Sequence, residues 1–395
     1  MAAQLIVKAP RILVATAAAI GLLVAFAPLS RGARTADPSC GDTLTTSVRL
    51  TSDLTGCGAA GLIVGAAGIT VDLGGHRLGG TNVPNSVGIA NTGHANVKIA
   101  NGTIAAFHTD GVAIHRAAGN RVSKLTVRGI GSGGKNNDAD AGILLDHSPA
   151  AVVTDTDVKN SVHAFQADGI DVFFSPGTQI MRSKLSQNQW NGLVMIQSPR
   201  SLVVGNKLDA NGNNGMEANV GSDFISVSGN HTDRNKNWGL VVGAVGHARV
   251  SGNSATGNGR DGLSFFDLAS STIQRNHAIG NGIGINLHGG QHGSKLNQVL
   301  GNTVTKNKHA GIVVSGDSAK SPADANLVAG NTASGNGSDG GIVVGGPAHG
   351  NKLRGNIATA NAGHGISVLT GTIDGGGNRA RGNRAAPQCV GVVCA

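Results

Sequence analysis

The sequence predicts an all-β solenoid, on three observations. The first is a fixed asparagine period. Asn206, Asn230, Asn253 and Asn276 stand about 23 residues apart, each followed five places on by Asn211, Asn235, Asn258 and Asn281. The second is a glycine and a short apolar run after each pair: Gly215-Met216, Gly239-Leu240-Val241-Val242, Gly262-Leu263-Ser264-Phe265 and Gly284-Ile285-Asn286-Leu287. The unit continues as Asn302/Asn307/Gly311, Asn331/Asn336/Gly341 and Asn356/Asn361/Gly365. The third is alternation without helical spacing, as in Gly311 to Ser315, which is the pattern of strands with residues pointing in and out by turns. A period in the low twenties built of such strands is one coil of a solenoid. Leucine-rich repeats share the period, but their leucine frame is missing.

One coil cannot bury its own apolar face, so coils stack and share a core. Stacking places equivalent residues of successive coils about 4.8 Å apart. An Asn at a turn then bonds its neighbours above and below. Gly before each strand is expected to permit positive φ. These Asn and Gly columns are structural and are assigned no chemistry. The repeat resembles the right-handed parallel β-helix of the pectin-lyase-like superfamily, over most of the chain. The resemblance implies a single elongated domain; it does not by itself imply an activity.

The chain has 395 residues, 63 of them Gly, 3% aromatic residues and no Tyr. Its formal net charge is +9, and four of the positive charges precede Asp37. The remaining excess suits an anionic partner. Nucleic acid is not expected, because basic residues are not clustered with aromatics. An acidic polysaccharide fits better.

Taken in order, residues 1–36 read as a secretory segment: Lys8 and Arg11 precede an apolar run from Ile12 to about Ala27, too short for a comfortable membrane span. Export is therefore expected, with no stable span after cleavage. Residues 37–395 read as the β-helix domain, of about twelve coils. Cys40 to about Leu62 and Pro387 to Ala395 are expected to cap its two ends. The four cysteines form two local pairs, Cys40 with Cys57 and Cys389 with Cys394, read as disulfides rather than a zinc site. Three loops break the period: Ser132 to Asp140, Ser161 to Gln166, and Asp317 to Ala325. Loops added to a solenoid gather on one face, often the binding face.

Chemistry is expected in the early coils. The residue before the strand Gly is Asp110, Ala141, Asp168 and Asn191 in coils two to five; two places after it stand Ala113, Leu144, Asp171 and Val194; four places after, His115, Asp146, Phe173 and Ile196. Odd positions carry the aliphatic residues, so Asp110, Asp168, Asp171, Asp146 and His115 are expected on one outer surface, beside loops bringing Lys135, Asp138, Asp140 and His163. Carboxylates this close either raise each other's pKa or hold a hard cation such as Ca²⁺. The bland alternative is that Asp before Gly only forms turns. Trp190, Trp238, Phe173 and Phe266 are either sugar-stacking or packing residues. The scattered histidines, His231 to His349, read as solvated.

Two strings carry a finer resemblance. Ile143-Leu144-Leu145-Asp146-His147 resembles the pectate-lyase strand motif that ends in Asp-His, and Gln166-Ala167-Asp168-Gly169-Ile170-Asp171 resembles the segment that supplies Ca²⁺ ligands there. Leu144 stands where that family has Trp, and the Asp spacing is one residue shorter. His108-Thr109-Asp110-Gly111 and Gly363-His364-Gly365 resemble polygalacturonase segments, but they fall about ten coils apart and cannot share one sugar.

The resulting expectation is a Ca²⁺-assisted uronate lyase or C5-epimerase. Asp168, Asp171 and Asp140 would hold the metal. Lys135, Arg128, His163 or Asp110 would do the catalysis, and His115, Asp146 and Phe173 would bind substrate. A glycoside hydrolase using Asp110 with Asp140 or Asp168 is the enzymatic alternative. A non-catalytic glycan-binding rod at the cell surface is the other.

Overall fold

The computed structural model describes residues 37–131, 140–162 and 167–395. Lys135, Asp138 and His163 lie outside them, and so does the side chain of Asp140. Every pairing between the strands is parallel. Fifteen strands stack into one long sheet, called here the first sheet, from Asp42–Leu44 at one end to Cys389–Val390 at the other. Most of the other strands form a second, closed sheet that completes each turn, and Ser294–Lys295 pairs with Ala323–Asp324 as a small third sheet. The protein is a right-handed parallel β-helix of about fourteen turns, roughly 65 Å long at the usual strand spacing. The two extra turns are the segments expected as caps. Asp42–Leu44 pairs in register with Leu62–Val64, and Cys389–Val390 pairs with Ile366 and Ser367. Both ends are therefore coils, each closed by its disulfide, Cys40–Cys57 and Cys389–Cys394.

The core is a stack of identical positions. Leu62, Ile89, Val112, Ile143, Ile170, Leu193, Met216, Leu240, Leu263, Ile285, Ile312, Ile342 and Ile366 follow one another in register, and all are buried.

Asparagine ladders hold the turns. Asn258 is typical: its Oδ1 accepts from the Asn235 backbone N–H and Nδ2, each at 3.0 Å. Its Nδ2 donates to Asn281 Oδ1 at 2.9 Å and to the Thr232 carbonyl at 2.8 Å. It is fully buried. A third ladder, Asn297–Asn326–Asn351, has no counterpart in the sequence reading.

The glycine before each strand serves a different purpose from the one expected. Gly192, Gly215 and Gly239 have no positive φ. A Cβ on Gly192 would lie 2.6 Å from the Gly215 carbonyl oxygen and 2.9 Å from Asn211 Nδ2, so the close stacking of coils itself requires Gly there. Positive φ falls instead on the glycines that precede the ladder asparagines, such as Gly205, Gly229 and Gly252.

Candidate active site

The position just before the close-contact glycine builds a polar column on the first sheet. Asp110 Oδ1 accepts the Ala141 N–H at 3.2 Å, and Asp168 Oδ1 accepts the Asn191 N–H at 2.6 Å. In the next coils Asn191 Oδ1 accepts from Asn214, and Asn214 Oδ1 from Trp238, at 3.1 and 3.3 Å. Where this position meets the next coil's N–H, a neutral amide accepts as well as a carboxyl does; Ala141, between Asp110 and Asp168, offers no acceptor. Asp110 and Asp168 are 3% and 4% exposed, not on an open outer surface as expected, because each is tucked under the next coil's backbone. Asp171 points away from the aliphatic core, in register with Leu144 and Val194, but it too is buried.

Asp168 and Asp171 form a coupled pair. Burial pushes the Asp168 carboxyl up to about 7, helped by the charge of Glu217 and opposed by the Asn191 N–H. Burial also pushes Asp171 well above the carboxylate range, followed by the charges of Asp168 and Asp110. Among the described residues no N–H or O–H group donates to either Asp171 oxygen. Two buried carboxyls side by side with no donor for Asp171 cannot both carry charge cheaply, so burial and mutual repulsion favour a protonated Asp171.

Beside the pair stands a carboxylate between two imidazoles. His115, Asp146 and Phe173 occupy one register position across three coils, as the sequence reading grouped them. His115 Nδ1 lies 3.3 Å from Asp146 Oδ2, and His147 Nδ1 lies 2.7 Å from Asp146 Oδ1. An ionised carboxylate only accepts, so each ring turns its Nδ1–H to Asp146 and its Nε2 away. The His115 and His147 side chains are 39% and 52% exposed, and His147 stacks on Phe174 at 4.7 Å between centroids. Asp146 pairs with Phe173, two residues beyond Asp171 on the same strand. The backbone separation of Asp146 and Asp171 is thus about 8 Å, within the reach of one sugar.

The groove continues along the sheet. A cavity of ≈ 170 Å³ is lined by Asp168, Asp171, Phe173, Trp190, Asn191 and Glu217. Glu217 follows Val194, which follows Asp171, in one register column. Its two oxygens accept from Asn214 Nδ2 at 3.0 Å and Asn219 Nδ2 at 2.8 Å. A second cavity of ≈ 190 Å³ runs from Glu217 past Trp238 to His288. Sequence reasoning passed over Glu217, although it is the only glutamate in the chain and both tryptophans flank it in adjacent coils.

Other expected residues are not brought here. Arg128 ends a strand of the second sheet, exposed and in register with Lys159. Its place in a different sheet removes it from the column of Asp168. His364 lies ten strands from Asp110 in the order of the first sheet, so the polygalacturonase-like segments are indeed far apart. Among the described residues no group of three or more His, Cys, Asp or Glu is placed to hold a metal. The carboxyls of Asp168 and Asp171 supply at most four oxygens, fewer than the six to eight Ca²⁺ takes. The described donor set therefore does not fit Ca²⁺ by itself.

A family model described as "Right handed beta helix region" matches residues 135–259 and 177–328. The chain is a right-handed parallel β-helix repeat protein. Among solved structures it is similar to the periplasmic alginate epimerase AlgG (TM-score 0.56, 13% identity, covering 73% of this chain and 75% of that one). A point mutant of AlgG gives a TM-score of 0.59 at 14% identity, covering 73% and 75%. The A-module of the Azotobacter vinelandii mannuronan C-5 epimerase AlgE6 aligns over 89% of this chain and 91% of that one, at 14% identity and a TM-score of 0.42. At such identities the likeness is one of fold. No curated protein matches the sequence. The two disulfides suit an oxidising compartment, and no helix of the described residues is long and apolar enough to cross a membrane.

Proposed function

We propose that this chain is an exported polysaccharide-modifying enzyme that removes the proton α to the carboxyl of a uronate residue, as a C5-epimerase or lyase does. The carrying observation is Asp146 held between His115 and His147, next to the buried Asp168–Asp171 pair. Abstraction needs an oriented base and a way to neutralise the uronate carboxylate. An imidazole Nε2 takes the C5 proton while Asp146 steadies the cation that forms. The electron pair moves into the carboxylate, and the carboxyl proton of the aspartate pair stabilises the resulting dianion. Return of a proton to the opposite face of C5 gives the epimer. Loss of the O4 substituent gives a C4=C5 double bond, and the leaving oxygen takes up a proton. Phe173 and Trp190 offer ring faces to the sugars. The epimerase activity of AlgG, a protein of similar fold, agrees with this reading.

The test is exchange. Incubation with polymannuronate or polygalacturonate in D₂O should place deuterium at C5, read by NMR. Ultraviolet-absorbing unsaturated ends should accompany it only if the reaction goes on to cleavage. Activity that survives a chelator assigns the counter-charge to the proton; activity lost to chelator and restored by Ca²⁺ assigns it to a metal on Asp168, Asp171 and Asp140. Binding without exchange would reduce the chain to a glycan-binding rod.

Glu217 favours a second reading, hydrolysis. It sits two coils from Asp171, about 10 Å by backbone, nearer the 6.5–9.5 Å carboxyl spacing of inverting hydrolases than the 5–5.5 Å of retaining ones. New reducing ends without unsaturation or deuterium would select it.

A further inference from the structure

We propose a second carbohydrate subsite, remote from the aspartate pair, that recognises the negative charge of the polymer. This rests on the polysaccharide reading above and specifies how the substrate is held. Trp238 sits at the entry to the strand Leu240–Gly243, its Nε1–H donating to Asp261 Oδ2 at 3.3 Å, which fixes the indole in the groove. Asn286 Nδ2 donates to the same oxygen at 3.0 Å. The Arg260 guanidinium lies over the indole, 4.8 Å from its centroid. Beside them opens a cavity of ≈ 370 Å³, lined also by Ser264 and His309.

Arg260 and His309 line this cavity, and basic residues continue along the sheet beside it. Lys236, Arg260, Lys308 and His309 all precede strands of the first sheet, in three of four consecutive coils, and all are exposed. None of the four makes an ion pair among the described residues. Asp339, exposed in the following coil, ends the run. An indole braced from one side and a row of basic side chains without ion pairs among the described residues from the other is a fit for a pyranose carrying a carboxylate. The guanidinium keeps N–H donors for that carboxylate while it stacks on Trp238.

Arg260 lies four strands along the sheet from Asp168, about 19 Å. A glycosyl unit is about as long as one coil spacing, so a chain must run several residues to touch both places. The enzyme thereby favours polymers over short fragments, and acidic polymers over neutral ones.

Calorimetric binding of polymannuronate and polygalacturonate, each beside its carboxyl-reduced form, tests this at low salt. The wild type should bind at least one acidic polymer about tenfold tighter than its reduced form, the effect of one or two charged hydrogen bonds. Arg260→Gln with Lys308→Gln should erase that preference. Lys236→Gln with His309→Gln, which leaves the stack on Trp238 intact, should weaken it. Equal binding of acidic and reduced polymers by the wild type, or a preference kept in both double variants, overturns the subsite. C5 exchange measured in parallel separates the two claims. Exchange with unchanged binding in the variants refutes the subsite alone; lost binding in the variants without exchange by the wild type refutes the reaction alone.

Discussion

Replacing Asp168 with Asn should stabilise the protein at neutral pH while stopping its chemistry. The column of Asp168 already shows what Asn does there, since Asn191 and Asn214 accept the next coil's N–H with a neutral amide. Asp168→Asn keeps the acceptor for Asn191 and adds an N–H₂ that can reach the unpartnered oxygens of Asp171. What it removes is a buried carboxyl whose pKa is raised from 3.8 to about 7. A raised folded pKa means the folded state holds its proton longer than the unfolded chain. The stability it contributes is whole below about pH 4 and is lost progressively up to about pH 7. The gap corresponds to on the order of 4 kcal/mol. Urea unfolding of both proteins from pH 4 to 8 measures it. The curves should nearly coincide at pH 4, and the variant should be the more stable by a few kcal/mol at pH 8. A variant less stable than wild type at pH 8, or one with the same pH slope, would refute the buried-proton argument. C5 exchange should fall at least about a hundredfold if this proton neutralises the uronate.

Three further outcomes follow from the geometry. Asn258→Ala strips partners from the Asn235 N–H and Nδ2, the Thr232 carbonyl and Asn281; thermal or urea unfolding should show a loss of about 3 kcal/mol or more, with polymer affinity unchanged at matched folded fraction. His115→Gln and His147→Gln lie on half-exposed positions, so neither should move the unfolding midpoint appreciably, and the one that carries the base should cut C5 exchange about 10²- to 10⁴-fold. Non-reduced peptide mapping should give Cys40–Cys57 and Cys389–Cys394; replacing the first pair with Ser should cost about 3 kcal/mol and the second about 2, because the first closes the longer loop.

The periodic features were legible because a period is a statement about neighbours. Asn206 and Asn230 announce each other in sequence and bond each other in space. The trio His115, Asp146 and Phe173 was found the same way, by counting from the strand glycine. Burial was not legible. Counting residues tells that Asp171 points away from the aliphatic stack, but not that neighbouring side chains close over it. The role of His147 was hidden because it stands one place past the counted positions and reaches back to Asp146. Glu217 was not legible for a simpler reason: a residue type present once in the chain has no period.

The two kinds of residue separate on one physical criterion. A column that only needs an acceptor is served by Asn, which holds its charge at zero at every pH. This chain uses Asn at that task in coil after coil, and its ladders carry no carboxyl from Asn206 to Asn378. Asp168 does the same mechanical job and adds an unfavourable buried charge next to a second buried acid. Nothing in the stacking of coils calls for that exchange, since Asn191 meets the same need one level up. A fold that sets two buried acids side by side, near two imidazoles on Asp146 and a groove lined by Trp190, departs from what its stacking needs; on the proposed reading that departure supplies a proton to a substrate.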